Sequence, residues 1–131
     1  MTSNAPLQAL ILDDEKSYLD LMSVVLRDFL KCPVATFTSA EKALAALPAL
    51  NLGIIVTDFS MPGMDGITFL RLATQLKPDV PCVMITGHCE ALAAMDHSDI
   101  SQLRTVLAKP FGGRVLADTI TRYWPEAGSL R

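Results

Sequence analysis

Three aspartates stand where short apolar runs end. Leu10-Ile11-Leu12 stops on Asp13-Asp14, and Ile54-Ile55-Val56-Thr57 stops on Asp58. After Asp58 the pattern breaks into Phe59-Ser60-Met61-Pro62-Gly63-Met64-Asp65-Gly66. An apolar β-branched run closing on a carboxylate puts that group at the carboxyl edge of a buried strand, where open α/β sheets keep their ligands. Two unit charges about 4 Å apart repel by roughly 4 kcal/mol at an effective dielectric near 20. Three carboxylates on one edge therefore require raised pKa values or a hard cation. With oxygen ligands only, and no His or Cys in the set, Mg²⁺ or Mn²⁺ is favoured over zinc. An Asp carboxylate is also a competent phosphoryl acceptor, and a cation beside it neutralises charge on acceptor and phosphate alike.

Two further residues complete that chemistry. Thr86 ends Val83-Met84-Ile85-Thr86 and offers a hydroxyl to a phosphoryl oxygen. Lys109 follows Val106-Leu107-Ala108 and offers a mobile ammonium suited to phosphate. Each residue alone has an ordinary reading. Asp13-Asp14 could open a helix, where acids are favoured at the positive end of the dipole. Asp58 could be a turn residue before Pro and Gly, Thr86 a strand residue, Lys109 a solvated surface charge. The chemistry is carried by their joint placement at strand ends.

The elements that must position these groups alternate five times. Strands are expected near Ala9–Leu12, Val34–Phe37, Ile54–Thr57, Cys82–Thr86 and Thr105–Ala108, short and uniformly apolar as suits parallel strands covered on both faces. Tyr18, Met22, Val25 and Phe29, widened by Leu19, Leu26 and Leu30, mark the inner stripe of a first helix. Ser39 is a candidate N-cap for a second, with Ala43, Leu44 and Leu47 inward and Pro48 as its stop. Asp65 begins a third, with Phe69, Leu72, Ala73 and Leu76 buried. A short fourth helix near Ala91 to Met95 leads into an irregular connection, and a last helix runs from about Gly113 to Tyr123 before Trp124-Pro125. Repeated βα units with right-handed crossovers give an α/β fold, a doubly wound five-stranded parallel sheet. Strand periodicity does not fix the order. With the order 2-1-3-4-5, the first and third strands are neighbours and Asp13, Asp14 and Asp58 meet at the switch point.

Composition narrows the functional classes. The 131 residues are half hydrophobic and 19% charged, enough for one domain with its own core. A net charge of −3 with 11 scattered Lys and Arg residues argues against a nucleic-acid binder. No apolar stretch approaches the roughly 20 residues that span a bilayer, and Met1 to Pro6 lacks the blocks of a signal peptide. Cys32, Cys82 and Cys89 lack metal-type spacing and read as reduced thiols of a cytoplasmic protein.

Taken together, Asp13-Asp14, the Asp58 to Gly66 loop, Thr86-Gly87 and Lys109-Pro110-Phe111 resemble the receiver domain of two-component response regulators, of the CheY-like superfamily. The resemblance covers about Gln8 to Tyr123, so residues 1–131 are expected to form one receiver domain of flavodoxin-like (βα)5 architecture. It implies that Asp58 accepts a phosphoryl group from the phosphohistidine of a sensor kinase or a histidine phosphotransfer protein. It implies that Asp14, Asp58 and the backbone carbonyl of Ser60 ligate Mg²⁺ directly, with Asp13 acting through water. By the same likeness Thr86 and Lys109 contact the phosphoryl oxygens, and the Lys109–Pro110 bond is cis. Ser60 and His88, two residues past Asp58 and Thr86, occupy places that tune phosphoryl lifetime; His97 reads as a surface residue.

Two departures stand out. Position 106 is Val, where most receivers carry a Tyr or Phe that swings inward; Val is too small and too stiff at χ1 for that movement. Asp96 to Arg104 lacks the usual Gly-Ala turn. Two alternatives remain. A degenerate receiver would serve as a constitutive binding module. An Asp-nucleophile phosphatase would want a second Asp at position 60, where Ser stands.

Overall fold

Each apolar run marked by the sequence becomes a strand, and all five join one parallel sheet. The structure, a computed structural model, describes residues 7–125. The strands are β1 (Gln8–Leu12), β2 (Val34–Phe37), β3 (Leu52–Asp58), β4 (Cys82–Thr86) and β5 (Leu103–Ala108). The helices are α1 (Lys16–Val24), α2 (Ala40–Ala46), α3 (Gly66–Leu76), α4 (Cys89–Ala93) and α5 (Gly113–Tyr123). The strand order is β2-β1-β3-β4-β5, so the direction of winding reverses between β1 and β3. Among the described residues, no helix is long and apolar enough to cross a membrane.

Side chains of a strand alternate between faces, and here the alternation divides the core in two. Ala9, Ile11, Ile54, Val56, Val83 and Ile85 point to the side covered by α1 and α5. Leu10, Leu12, Ile55, Cys82 and Met84 point to the side covered by α2 and α3, with Leu92 of α4. The expectation of full burial on both faces holds for β1, β3 and β4. It fails for β2 and β5, which are half-exposed because they form the two edges of the sheet.

Helix starts follow the predicted caps. Ser39 accepts from the Lys42 N–H at 3.4 Å, and Asp65 accepts from the Thr68 N–H at 2.8 Å. Two inner faces differ from expectation. Phe29 is 63% exposed, because the last turn of the first helix widens into a π-helical turn over Val25–Phe29. An i→i+5 turn shifts the phase of the residues after it, so Leu30 turns inward where Phe29 would have been. In α3 the buried face is Gly66, Ile67, Phe69, Leu70 and Ala73, while Leu72 and Leu76 are exposed. The first turn of α3 is tucked beneath the Asp58 loop, and that contact sets its rotation. The Gly66 N–H donates to the Phe59 carbonyl at 2.7 Å.

The irregular connection from α4 to β5 is tied down from outside. Arg71 of α3 pairs with Asp99 at 2.9 Å and donates to the Asp96 carbonyl at 2.7 Å. At the far end, Trp124 is buried with its indole across Gly53, so no Cβ could be accommodated there.

Candidate functional site

The site is built by strand ends. Asp13 and Asp14 directly follow β1, Asp58 is the last residue of β3, Thr86 the last of β4, and Lys109 directly follows β5. Pairing of β1 with β3 matches Leu12 to Thr57, which brings the three aspartates to one edge. One carboxylate oxygen from each of Asp13, Asp14 and Asp58 lies within 4.8 Å of the others. Asp13 and Asp58 are buried, whereas Asp14 is exposed.

Burial and mutual repulsion disfavour the charged forms of that cluster, and Lys109 offsets them in part. Burial raises the Asp58 carboxyl to about 6, helped by the charges of Asp13 and Asp14 and opposed by Lys109. Burial also pushes Asp13 up, offset in part by the Glu15 N–H, which donates to its Oδ1 at 2.8 Å, and by Lys109. The Lys109 ammonium lies 3.1 Å from Asp13 Oδ2 and 3.5 Å from Asp58 Oδ2. The Asp13 contact lacks hydrogen-bond alignment, so Oδ2 is a buried oxygen that accepts no hydrogen bond. Burial opposes the charge on Lys109, yet its hydrogen bond to Glu15 and the nearby charges of Asp13 and Asp58 hold its pKa above the ordinary lysine value.

A small divalent ion fits this donor set. An octahedral ion with ligands near 2.1 Å sets opposite oxygens about 4.2 Å apart. The three aspartate oxygens all lie within 4.8 Å of one another, a span that such an ion and its water can bridge, and Asp13 Oδ2, which accepts no hydrogen bond, is the kind of atom that water would serve.

The other predicted residues fall nearby in different ways. Asp58 pairs with Ile85 across β3 and β4, so Thr86 is one position further along the same edge. Its side chain is buried, and Oγ1 accepts from the His88 N–H at 2.8 Å. The Lys109 N–H donates to the Thr86 carbonyl at 2.8 Å, which joins the two strand ends. The Lys109–Pro110 bond is cis, as the resemblance implied. Ser60 is exposed two residues beyond Asp58, and His88 is exposed at the start of α4. Val106 is half-buried and pairs with Met84. It lines a cavity of ≈ 280 Å³ with Cys89, Leu92, Ala93, His97 and Ala108.

Two residues of the site escaped the sequence reading. Glu15 accepts from the Lys109 ammonium at 2.9 Å, and that ammonium sits 4.2 Å over the ring of Tyr18. Glu15 had a signal, being the third acid after Asp13-Asp14. Tyr18 had none, because helical spacing assigned it to the core stripe.

Comparison with known proteins places the chain. Residues 9–121 match the profile of the response regulator receiver domain. The chain is 33% identical over 112 residues to the C4-dicarboxylate transport transcriptional regulatory protein DctD of Rhizobium meliloti, covering 86% of this chain and 24% of that protein. It is 32% identical over 101 residues to the transcriptional regulatory protein FixJ of Bradyrhizobium diazoefficiens, covering 77% and 48%. The chain thus spans about a quarter to a half of these relatives' length. Among solved structures, a CheY-like receiver domain protein from Methanospirillum hungatei is similar with a TM-score of 0.80 at 25% identity, over 95% of this chain and 98% of that one. Vibrio cholerae chemotaxis protein CheY4 is similar with a TM-score of 0.82 at 25% identity, over 91% and 99%. With its profile match running through the whole sheet and the acidic edge intact, the chain belongs to the response regulator receiver domain family.

Proposed function

We propose that this chain is a phosphoacceptor switch in which Asp58 takes a phosphoryl group from a histidine kinase or histidine phosphotransfer protein. The observation that carries the reading is the convergence of Asp13, Asp14 and Asp58 beside Lys109 at the carboxyl edge of β1, β3 and β5. An Asp58 oxygen attacks phosphorus, the bond from phosphorus to the imidazole nitrogen of the donor breaks, and the electron pair leaves with that nitrogen. With a proton on the donor's other ring nitrogen, the products are an acyl phosphate on Asp58 and a neutral histidine. Mg²⁺, or Mn²⁺, is the ion this set suits; Asp14, Asp58 and the Ser60 carbonyl would hold it directly, and Asp13 through water. When bound, it neutralises charge on carboxylate and phosphate.

The remaining roles belong to side chains of this chain. Lys109 shields the growing charge on the phosphoryl oxygens. Thr86 turns its hydroxyl toward them, exchanging the His88 N–H for a phosphoryl acceptor. Ser60 and His88 flank the phosphoryl group and set how fast water reaches it. Added charge then shifts a two-state equilibrium of the neighbouring surface. We read residues 1–131 as one receiver domain, with its core over about 8–123, acting in the cytoplasm and signalling to an output partner. A degenerate binding module is not favoured, because the acids, Thr86 and Lys109 are all present at the edge. The phosphatase reading is disfavoured by Ser60.

The test is incubation with phosphoramidate and Mg²⁺, read by intact mass. Wild type gains one phosphoryl group, and Asp58→Asn gains none. Uptake by both in equal measure contradicts the assignment.

A further inference from the structure

We propose that Glu15 and Tyr18 are positioning residues that hold Lys109 in the resting chain, and that Glu15 is the partner Lys109 gives up when a phosphoryl group arrives on Asp58. This rests on the phosphoacceptor reading above. Three carboxylates surround the ammonium: Glu15 Oε1 at 2.9 Å, Asp13 Oδ2 at 3.1 Å and Asp58 Oδ2 at 3.5 Å. Of these contacts, the one to Glu15 is an aligned hydrogen bond, whereas Asp13 Oδ2 accepts none. A resting donor of Lys109 is thus aimed at Glu15, at the start of α1, and the Asp58 carboxylate is the more distant partner. An ammonium has three donors and no acceptor, so serving new phosphoryl oxygens means re-aiming one.

Which partner yields follows from burial. The Asp13 side chain is 0% exposed, and releasing it would strand a charge in the interior. Asp58 is the carrier itself. The Glu15 side chain is 56% exposed, so its carboxylate can pass to water at little cost. Its backbone stays in place regardless, because the Glu15 N–H is fixed on Asp13 Oδ1. Tyr18 plays a different part. Its ring face attracts the ammonium without accepting a hydrogen bond in competition with phosphate. The ring is itself braced by Phe111, with centroids 5.6 Å apart and planes at 45°. Tyr18 therefore keeps the lysine head over the site through the exchange.

The test uses the full chain labelled with ¹⁵N-lysine, with the Lys109 ammonium signal identified by its loss in Lys109→Arg. At rest, Glu15→Gln shifts that signal. With Mg²⁺ and beryllofluoride, the wild-type and Glu15→Gln signals coincide, because Glu15 is no longer a partner. Tyr18→Leu removes the upfield ring displacement of the signal, and Tyr18→Phe restores it. At saturating Mg²⁺, phosphorylation of Glu15→Gln by phosphoramidate is faster by about two- to fivefold, the range that loss of one exposed ion pair allows. An unshifted resting signal in Glu15→Gln, signals that stay apart with beryllofluoride, or an unchanged rate overturns the proposal. A wild-type chain that accepts no phosphoryl group overturns the phosphoacceptor reading instead, and the resting signals still decide whether Glu15 and Tyr18 hold the lysine.

Discussion

Lys109 reaches Asp13 at 3.1 Å although the two residues stand at the ends of strands on opposite sides of β3 and β4 in the sheet. The pair spans the acidic edge and brings a positive charge to a carboxylate that is fully buried. In Lys109→Met that carboxylate faces Asp58 with no ammonium beside it. Breaking a buried pair on one side costs about 3 kcal/mol, which urea unfolding in chelator reads directly. Removing a competing cation also strengthens the site's hold on a metal. Mg²⁺ is therefore expected to raise the melting temperature of Lys109→Met more than that of wild type, while phosphorylation by phosphoramidate falls. Equal Mg²⁺ stabilisation of both proteins would show that lysine and metal do not share the site.

Asp58 gives stability a pH dependence of defined sign. Its folded-state pKa of about 6 lies above the ordinary 3.8, so its favourable contribution is full below about pH 3.8 and is lost as pH rises through 6. In chelator, Asp58→Asn escapes that loss. It is expected to be more stable than wild type at pH 7.5, by up to about 2 kcal/mol, with the difference closing as pH falls from about 6 to 3.8. Denaturant titrations across that range measure it. A difference independent of pH would mean that Asp58 is not strained by its neighbours.

Gly66 is fixed by close packing beneath Asp58. A Cβ there would collide with the Asp58 carbonyl and lie 2.7 Å from Met84 Sδ. Backbone cannot yield as a flexible side chain can, so Gly66→Ala is expected to cost about 2–3 kcal/mol, within the range for overpacking. The same change displaces the end of β3, and phosphorylation should slow with it. Thermal unfolding and phosphoramidate kinetics read the two effects.

Val106 leaves space that a larger side chain can occupy. The cavity of ≈ 280 Å³ between α4 and β5 is lined by Val106 with Cys89, Leu92, Ala93, His97 and Ala108. Val106→Phe is expected to be tolerated or stabilising by about 0.5–1 kcal/mol, as cavity-filling changes commonly are. A loss of more than about 1 kcal/mol in urea would show that the cavity does not open toward position 106.

How far the sequence reaches is seen residue by residue. Asp13, Asp58, Thr86 and Lys109 were legible because each ends an apolar run, and a parallel sheet places all such ends on one edge. Ser39 and Asp65 were legible because capping is a local interaction. Phe29 was not, since a π-helical turn alters the phase that regular helical spacing assumes. Leu72 and Leu76 were misread because the rotation of α3 is set by Gly66 beneath the Asp58 loop, a contact remote from the stripe itself. Tyr18 looked like core and is partly that, but its ring face serves Lys109, a partner brought in by β5. Full burial failed at β2 and β5, since apolar content alone does not say which strands are edges.

The proposed phosphoryl transfer to Asp58 depends on one divalent ion binding between Asp13, Asp14 and Asp58. Crystals grown with Mn²⁺ and measured for anomalous scattering test it most directly. A single strong peak in contact with oxygens of Asp14 and Asp58, at about 2.1–2.2 Å, and within a water's reach of Asp13 is the predicted result. Phosphorylation that proceeds normally in chelator, with no peak among the three aspartates, would contradict it.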